Sequence, residues 1–281
     1  MVEDATRGDG VQHSISQTSF ASNGSVTPAG LVRPAAARGA LPAVIVVHGA
    51  WGADAHIRDV ADRIAAAGYL ALVPDLYAHG DGRPAELAAD RVGALKRLAD
   101  SLPPGGLVDP EVRAYALATL PETERGRIEE SLAAVRSTVE APDSFVAQLR
   151  GAVAHLRDHP DCNGQIGALG FSMGGRLAGL LACGEPDLHA AVVFYGTAPP
   201  AGRVGRIASP LLGLYGGKDT RITASVPPFA EAMERAGKRF DHHVYRGAPH
   251  GFFNDTRPRY RVRAARDAWA RTLAFLVEHL G

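Results

Sequence analysis

Between Ala43 and His48 the chain reads Ala-Val-Ile-Val-Val-His, with no polar residue until its last position. A strand with one face in water alternates apolar and polar residues. A run without alternation is buried on both faces, so each face must be covered. The sequence supplies the cover. Asp54–Ala67 reads as a helix closed by Gly68, and Tyr69–Val73 as the next strand, ended by Pro74-Asp75. Ser144–Arg157 is helical, Gln165–Phe171 extended, and Met173–Cys183 a helix rich in small residues. Ala190–Tyr195 and Pro210–Tyr215 read as strands, Pro227–Ala236 as a helix, Phe240–Tyr245 as a strand and Tyr260–Leu280 as a long closing helix. Strands alternating with helices predict an α/β fold, a mostly parallel central sheet flanked by helices. At 281 residues the chain reads as a single domain, 1–281.

Two stretches depart from this rhythm. Residues 1–10 read as a loose tail. After them Gln12–Phe20 and Ser25–Val32 form an antiparallel pair turning at Ser22-Asn23-Gly24, and Pro28 marks the second of these as an edge strand. Over 80–142 apolar residues recur at helical spacing (Leu87, Val92, Leu95, then Leu117, Ile128, Leu132), interrupted by Pro103-Pro104-Gly105-Gly106. This is a helical insertion, either a cap over a site or a cover for one sheet face.

Lys plus Arg and Asp plus Glu are 30 each, giving a net charge of zero. That balance offers no case for nucleic acid or an anionic membrane as partner. No apolar run reaches the roughly 18 residues of a membrane span, and the polar N-terminal region has no secretory pattern. The two cysteines, Cys162 and Cys183, are isolated and fit a reduced compartment. The expectation is a cytoplasmic protein with no metal and no cofactor. Its oligomeric state is left open.

Gly170-Phe171-Ser172-Met173-Gly174 fits Gly-x-Ser-x-Gly, with a strand ending before it and a helix starting after it. That is the setting of a nucleophile elbow, in which the turn holds the serine at the strand's carboxyl end. A serine hydroxyl needs a base. His250, in Ala248-Pro249-His250-Gly251-Phe252, stands between the last strand and the last helix, at the sheet edge where the elbow lies. The base needs a carboxylate to fix its tautomer. Asp219, in Gly216-Gly217-Lys218-Asp219, follows the preceding strand, and the order Ser, Asp, His suits such a sheet. Asp241 and Asp255 are fallbacks. The oxyanion donors expected are the backbone N–H groups of Met173 and Ala50, the latter in His48-Gly49-Ala50-Trp51-Gly52. His48 itself reads as loop architecture. Trp51, Tyr77, Tyr195 and Phe252 stand at or near strand ends as candidates for lining the substrate pocket.

With these residues in view, the chain resembles the dienelactone hydrolase family over about residues 25 to 281. The carrying segments are Val44–Gly52, His56–Tyr77, Ile166–Arg176, Phe194-Tyr195-Gly196, Tyr215–Asp219 and His250-Gly251-Phe252. The resemblance implies an α/β-hydrolase fold and cleavage of a carboxylic ester or lactone, without metal or organic cofactor. It matches Ser172 to the nucleophile, Asp219 to the acid and His250 to the base. Well-known members carry cysteine where Ser172 stands and glutamate where Gly49 stands. They also hold a substrate carboxylate with arginine, one at the position aligned with Asn254. Here the nearest arginines are Arg257 and, elsewhere, Arg83.

The expectation is a Ser-His-Asp hydrolase acting on a small-molecule ester or lactone. Two other readings stay open: an acyltransferase or biosynthetic cyclase or lyase using the same pocket, and a non-enzymatic ligand-binding protein.

Overall fold

The computed structural model describes residues 13–80, 82–103 and 105–281. The expected tail over 1–10 lies outside the described residues. Eight strands among the described residues form one sheet: β1 (His13–Ser22), β2 (Ser25–Pro34), β3 (Leu41–Val47), β4 (Leu70–Pro74), β5 (Cys162–Phe171), β6 (Ala190–Phe194), β7 (Leu211–Gly216) and β8 (Phe240–Tyr245). Their order is β1-β2-β4-β3-β5-β6-β7-β8. From β4 to β8 every neighbouring pair is parallel. β1 and β2 add an antiparallel wing. The helices are α1 (Ala55–Ala66), α2 (Ala89–Ser101), α3 (Pro110–Ala118), α4 (Glu122–Glu140), α5 (Asp143–Arg157), α6 (Met173–Ala182), the short α7 (Thr220–Thr223), α8 (Val226–Arg235) and α9 (Val262–Leu280). This is an α/β-hydrolase fold.

The apolar run is buried as its composition demands. Ala43 through Val47 are all 0% exposed, and each of the larger ones contributes roughly 1.5–3 kcal/mol by leaving water. Successive residues serve opposite faces. Ala43, Ile45 and Val47 pack in one cluster with Leu149 and Val153 of α5 and Leu177 of α6. Val44 and Val46 pack in another with Val60 and Ile64 of α1 and Phe275 and Leu276 of α9. Apolar residues of the 80–142 segment (Leu87, Val92, Leu95, Leu117, Ile128, Leu132, Val135) join the first cluster.

One expectation fails. Pro28 marks no edge, because β2 lies inside the sheet between β1 and β4. The carbonyl of Pro28 accepts from Asp75 N–H at 2.9 Å, so its missing N–H faces the same side. On that side the β2–β4 pairing begins only at Ala29↔Pro74. The proline therefore sits at the end of this ladder, where its carbonyl still accepts from Asp75 and its missing N–H leaves out one terminal bond.

Candidate active site

The strand-to-helix junction at Ser172 is a turn that side chains would block. A Cβ at Gly170 would stand 2.0 Å from the carbonyl oxygen of Gly174, and one at Gly174 would stand 2.2 Å from that of Val47. With glycine at both positions β5 can turn directly into α6. Ser172 takes the strain, at φ 56° and ψ −111°, a region that costs a non-glycine residue roughly 1–3 kcal/mol. The turn is pinned on both sides: Ser172 N–H donates to the Phe194 carbonyl at 2.9 Å, and its own carbonyl accepts from Arg176 N–H at 3.0 Å. Met173 is the first residue of α6, so its N–H has no acceptor within the helix and belongs to the positive end of the helix dipole.

The β7 and β8 loops bring the other two side chains to this junction. They are laced together, with Gly217 N–H on the Tyr245 carbonyl and Lys218 N–H on the Ala248 carbonyl, both at 2.9 Å. Asp219 precedes α7 and keeps 11% of its side chain exposed, against 34% for His250. His250 Nδ1 lies 2.6 Å from Asp219 Oδ2, and His250 Nε2 lies 2.9 Å from Ser172 Oγ. A carboxylate only accepts, so Nδ1 carries the proton and donates it to Asp219. Nε2 is then left as the acceptor for the serine hydroxyl. The imidazole packs on Tyr195, ring centroids 5.0 Å apart. Burial pushes the Tyr195 phenol far above its ordinary range, so it stays neutral.

The loop after β3 faces the nucleophile. A Cβ at Gly49 would lie 3.0 Å from the Phe171 carbonyl oxygen and 3.6 Å from Ser172 Cβ, so the Gly49–Ala50 backbone approaches the serine closely. His48 is 0% exposed. Its Nδ1 lies 2.8 Å from the Gly49 carbonyl, and its Nε2 accepts from Leu76 N–H at 3.1 Å. Burial holds it below the usual histidine range. It is a neutral strut of the loop.

A cavity of about 120 Å³ opens beside Ser172 and His250. Of the four pocket candidates, Trp51 and Tyr195 line it. Tyr77 and Phe252 do not. Tyr77 is buried beneath the loop, its hydroxyl donating to the Ala50 carbonyl at 3.0 Å. Phe252 is 0% exposed and packs against Tyr195 and Tyr245. Both belong to core that supports the site, because the loops that carry them, after β4 and β8, turn inward.

Sequence reasoning missed other parts of the wall, His56 and Arg259, and met Asn254 only as the position where well-known family members carry arginine. Arg257, met in the sequence without a place, also lines the cavity, whereas Arg83 pairs with Asp75 outside it. The Asn254 amide oxygen is turned to its own loop, accepting from Thr256 N–H at 3.0 Å and Thr256 Oγ1 at 2.7 Å. Arg257 is paired with Asp100. Arg259 is half-buried and makes no salt bridge among the described residues. Burial first, and then the neighbouring Arg257 charge, hold it below the ordinary guanidinium range. The one signal in the sequence is the run of arginines at 257, 259, 261 and 263, every second residue leading into α9.

Among the described residues no group of three or more His, Cys, Asp or Glu is arranged to hold a metal ion, and no helix is long and apolar enough to cross a membrane.

The model of the dienelactone hydrolase family matches residues 28–280. A candidate carboxymethylenebutenolidase from Saccharolobus solfataricus is 34% identical over 237 residues, covering 83% of this chain and 88% of that protein. A candidate 2-oxo-3-(5-oxofuran-2-ylidene)propanoate lactonase from a Bradyrhizobium species is 30% identical over 270 residues, 92% of each chain. Among solved structures, a candidate dienelactone hydrolase from Klebsiella pneumoniae superposes with a TM-score of 0.67 at 28% identity, covering 95% of this chain and 99% of that one.

Proposed function

We propose that this chain, which belongs to the dienelactone hydrolase family, cleaves a carboxylic ester or lactone through an acyl-enzyme on Ser172. The observation that carries this reading is the unbroken contact line from Asp219 through His250 to Ser172, at 2.6 and 2.9 Å. In the first half-reaction Ser172 Oγ attacks the carbonyl carbon while its proton passes to His250 Nε2. Asp219 stabilises the imidazolium that forms. The carbonyl oxygen becomes an oxyanion, held by the N–H groups of Met173 and Ala50. The carbon–oxygen bond to the leaving group then breaks, and the alkoxide takes the proton from Nε2. In a lactone that alkoxide remains tethered to the acyl group. Water then gives a proton to Nε2 and attacks the acyl carbon, and Ser172 leaves with that proton restored.

The cavity favours a compact substrate that carries an anionic group. Its volume is about 120 Å³, below the several hundred of sites for drug-sized ligands. Arg259 lines it without a salt-bridge partner among the described residues, and a guanidinium can bind a carboxylate through two parallel hydrogen bonds. The Bradyrhizobium relative is named for a propanoate, an anion of this kind. The substrate class is thus a small lactone or ester bearing a carboxylate.

The test is hydrolysis of short p-nitrophenyl esters by the wild type and by Ser172→Ala, with a fluorophosphonate probe and mass spectrometry. Turnover by the wild type alone, with the probe on Ser172, is expected. An inactive wild type with Ser172 unlabelled would sink the reading. An ester product formed from added alcohol would move it to acyl transfer.

A further inference from the structure

Among the described residues the 80–142 insertion contributes none of the cavity lining, yet one of its side chains reaches the wall. Asp100, in the last turn of α2, accepts with Oδ1 from Arg257 Nε at 2.7 Å and from Arg257 Nη2. The Arg257 side chain is only 9% exposed. Its guanidinium carbon lies over the ring of Trp51, 5.1 Å from the centroid. Trp51 directly follows Ala50, whose carbonyl accepts from the buried hydroxyl of Tyr77 at 3.0 Å. The Ala50–Trp51 segment is therefore held at two points, by Tyr77 on the backbone and by Arg257 on the ring. The first hold comes from a rigid aromatic side chain. The second comes from a long side chain with many rotamers, which loses less entropy in settling over an aromatic face when its fork is fixed elsewhere. Asp100 fixes it.

We propose that Asp100 is a positioning residue for hydrolysis: its carboxylate locks Arg257 against Trp51 and so keeps the Ala50 N–H where the oxyanion forms. This rests on the Ser172 reading given above. It gives the insertion a part in the chemistry without contact to substrate. It also leaves the substrate's anion to Arg259, because the Nε–Nη2 edge of Arg257 is taken by Asp100.

The experiment compares Asp100→Ala and Asp100→Asn with the wild type. Each is made also in a Trp269→Phe background, where Trp51 is the only indole of the two in the chain. Alanine favours helix, so α2 is retained, and circular dichroism checks the fold. Asp100→Ala is expected to lower kcat for a short p-nitrophenyl ester on the order of tenfold, with KM nearly unchanged. It is also expected to shift the Trp51 emission. Asp100→Asn keeps an oxygen acceptor and is expected to recover most of both. A folded Asp100→Ala with wild-type kcat overturns the proposal, whether or not the emission moves. So does a loss confined to KM. A wild type that hydrolyses no ester overturns the Ser172 reading and the proposal with it, whereas a failed variant comparison in an active wild type overturns the proposal alone.

Discussion

Gly174 meets the carbonyl of Val47 so closely that a Cβ on it would stand 2.2 Å from the oxygen, and 2.5 Å from the carbonyl oxygen of His48. Both neighbours are backbone at the end of β3, so neither can rotate away. The contact ties the start of α6 to the strand that leads into the Ala50 loop. Gly174→Ala must push the two apart. A cost at or above about 3 kcal/mol is expected, the upper end for overpacking, with Tm lower by several degrees and fluorophosphonate labelling of Ser172 slowed. Gly202→Ala, where a Cβ meets nothing within 4 Å, is the control and should leave both unchanged. Equal melting of the two variants would refute the contact.

Asp219 touches His250 and does not line the cavity. Its Oδ2 receives the Nδ1 proton at 2.6 Å, which selects the tautomer with Nε2 free toward Ser172. Asp219→Asn keeps the shape but can donate to Nδ1, turning the imidazole to the wrong tautomer. On the acyl-enzyme reading kcat should fall about 10³–10⁴-fold, with KM nearly unchanged because the pocket is untouched. Steady-state kinetics on one ester checks this. A loss confined to KM would remove Asp219 from the relay.

Much of this was legible in the sequence, and the reason is local. The unbroken apolar run at Ala43–Val47 needs cover on two faces, and Gly-x-Ser-x-Gly between a strand and a helix has few geometries open to it. Asp219 and His250 each follow a strand, so their places at the sheet edge follow from strand order alone. The cavity wall was less legible. Arg257 and Arg259 sit in a loop between β8 and α9, where neither facing nor partner can be read. Asp100 meets Arg257 across 157 residues of sequence. Tyr77 and Phe252 carry the aromatic character of a pocket lining, but their burial depends on how each loop turns after its strand. Pro28 misled because a proline at the end of a ladder forfeits at most one terminal bond, even in a strand paired on both sides.

Arg259 has a charge and no salt bridge among the described residues. Arg259→Met keeps the stem and removes the fork. Hydrogen bonds to a charged group contribute about 1.5–3 kcal/mol, so kcat/KM for a carboxylate-bearing lactone should fall roughly 10–100-fold. Activity on a neutral ester of the same size should change little. The ratio of the two activities is the measurement, since it cancels any general effect on folding. An equal loss on both substrates would take the anion-binding role from Arg259.

His56 makes acid the direction in which this fold weakens. The side chain is 4% exposed and its two ring nitrogens have no hydrogen-bond partner among the described residues. Its Nδ1 lies 3.9 Å from Asp255 Oδ1, and its ring packs against Phe171 and Phe253. Burial holds it below the usual histidine value of 6.5, outweighing the opposite pull of Asp54, Asp255 and Asp59. Unfolding releases it to that ordinary value. Below about pH 6.5 the unfolded chain therefore binds more protons, and stability falls as pH drops from 6.5 toward the folded pKa. Above 6.5 the contribution is complete. The slope from one such group is at most about 1.4 kcal/mol per pH unit. His56→Phe breaks no hydrogen bond and keeps an aromatic ring. Its Tm at pH 7.5 should equal or exceed that of the wild type, and its fall between pH 7 and pH 5 should be smaller by several degrees. His48, also lowered by burial, keeps the remaining slope. Thermal melts across that range decide it: parallel curves for the two proteins would mean that His56 is not the group that titrates.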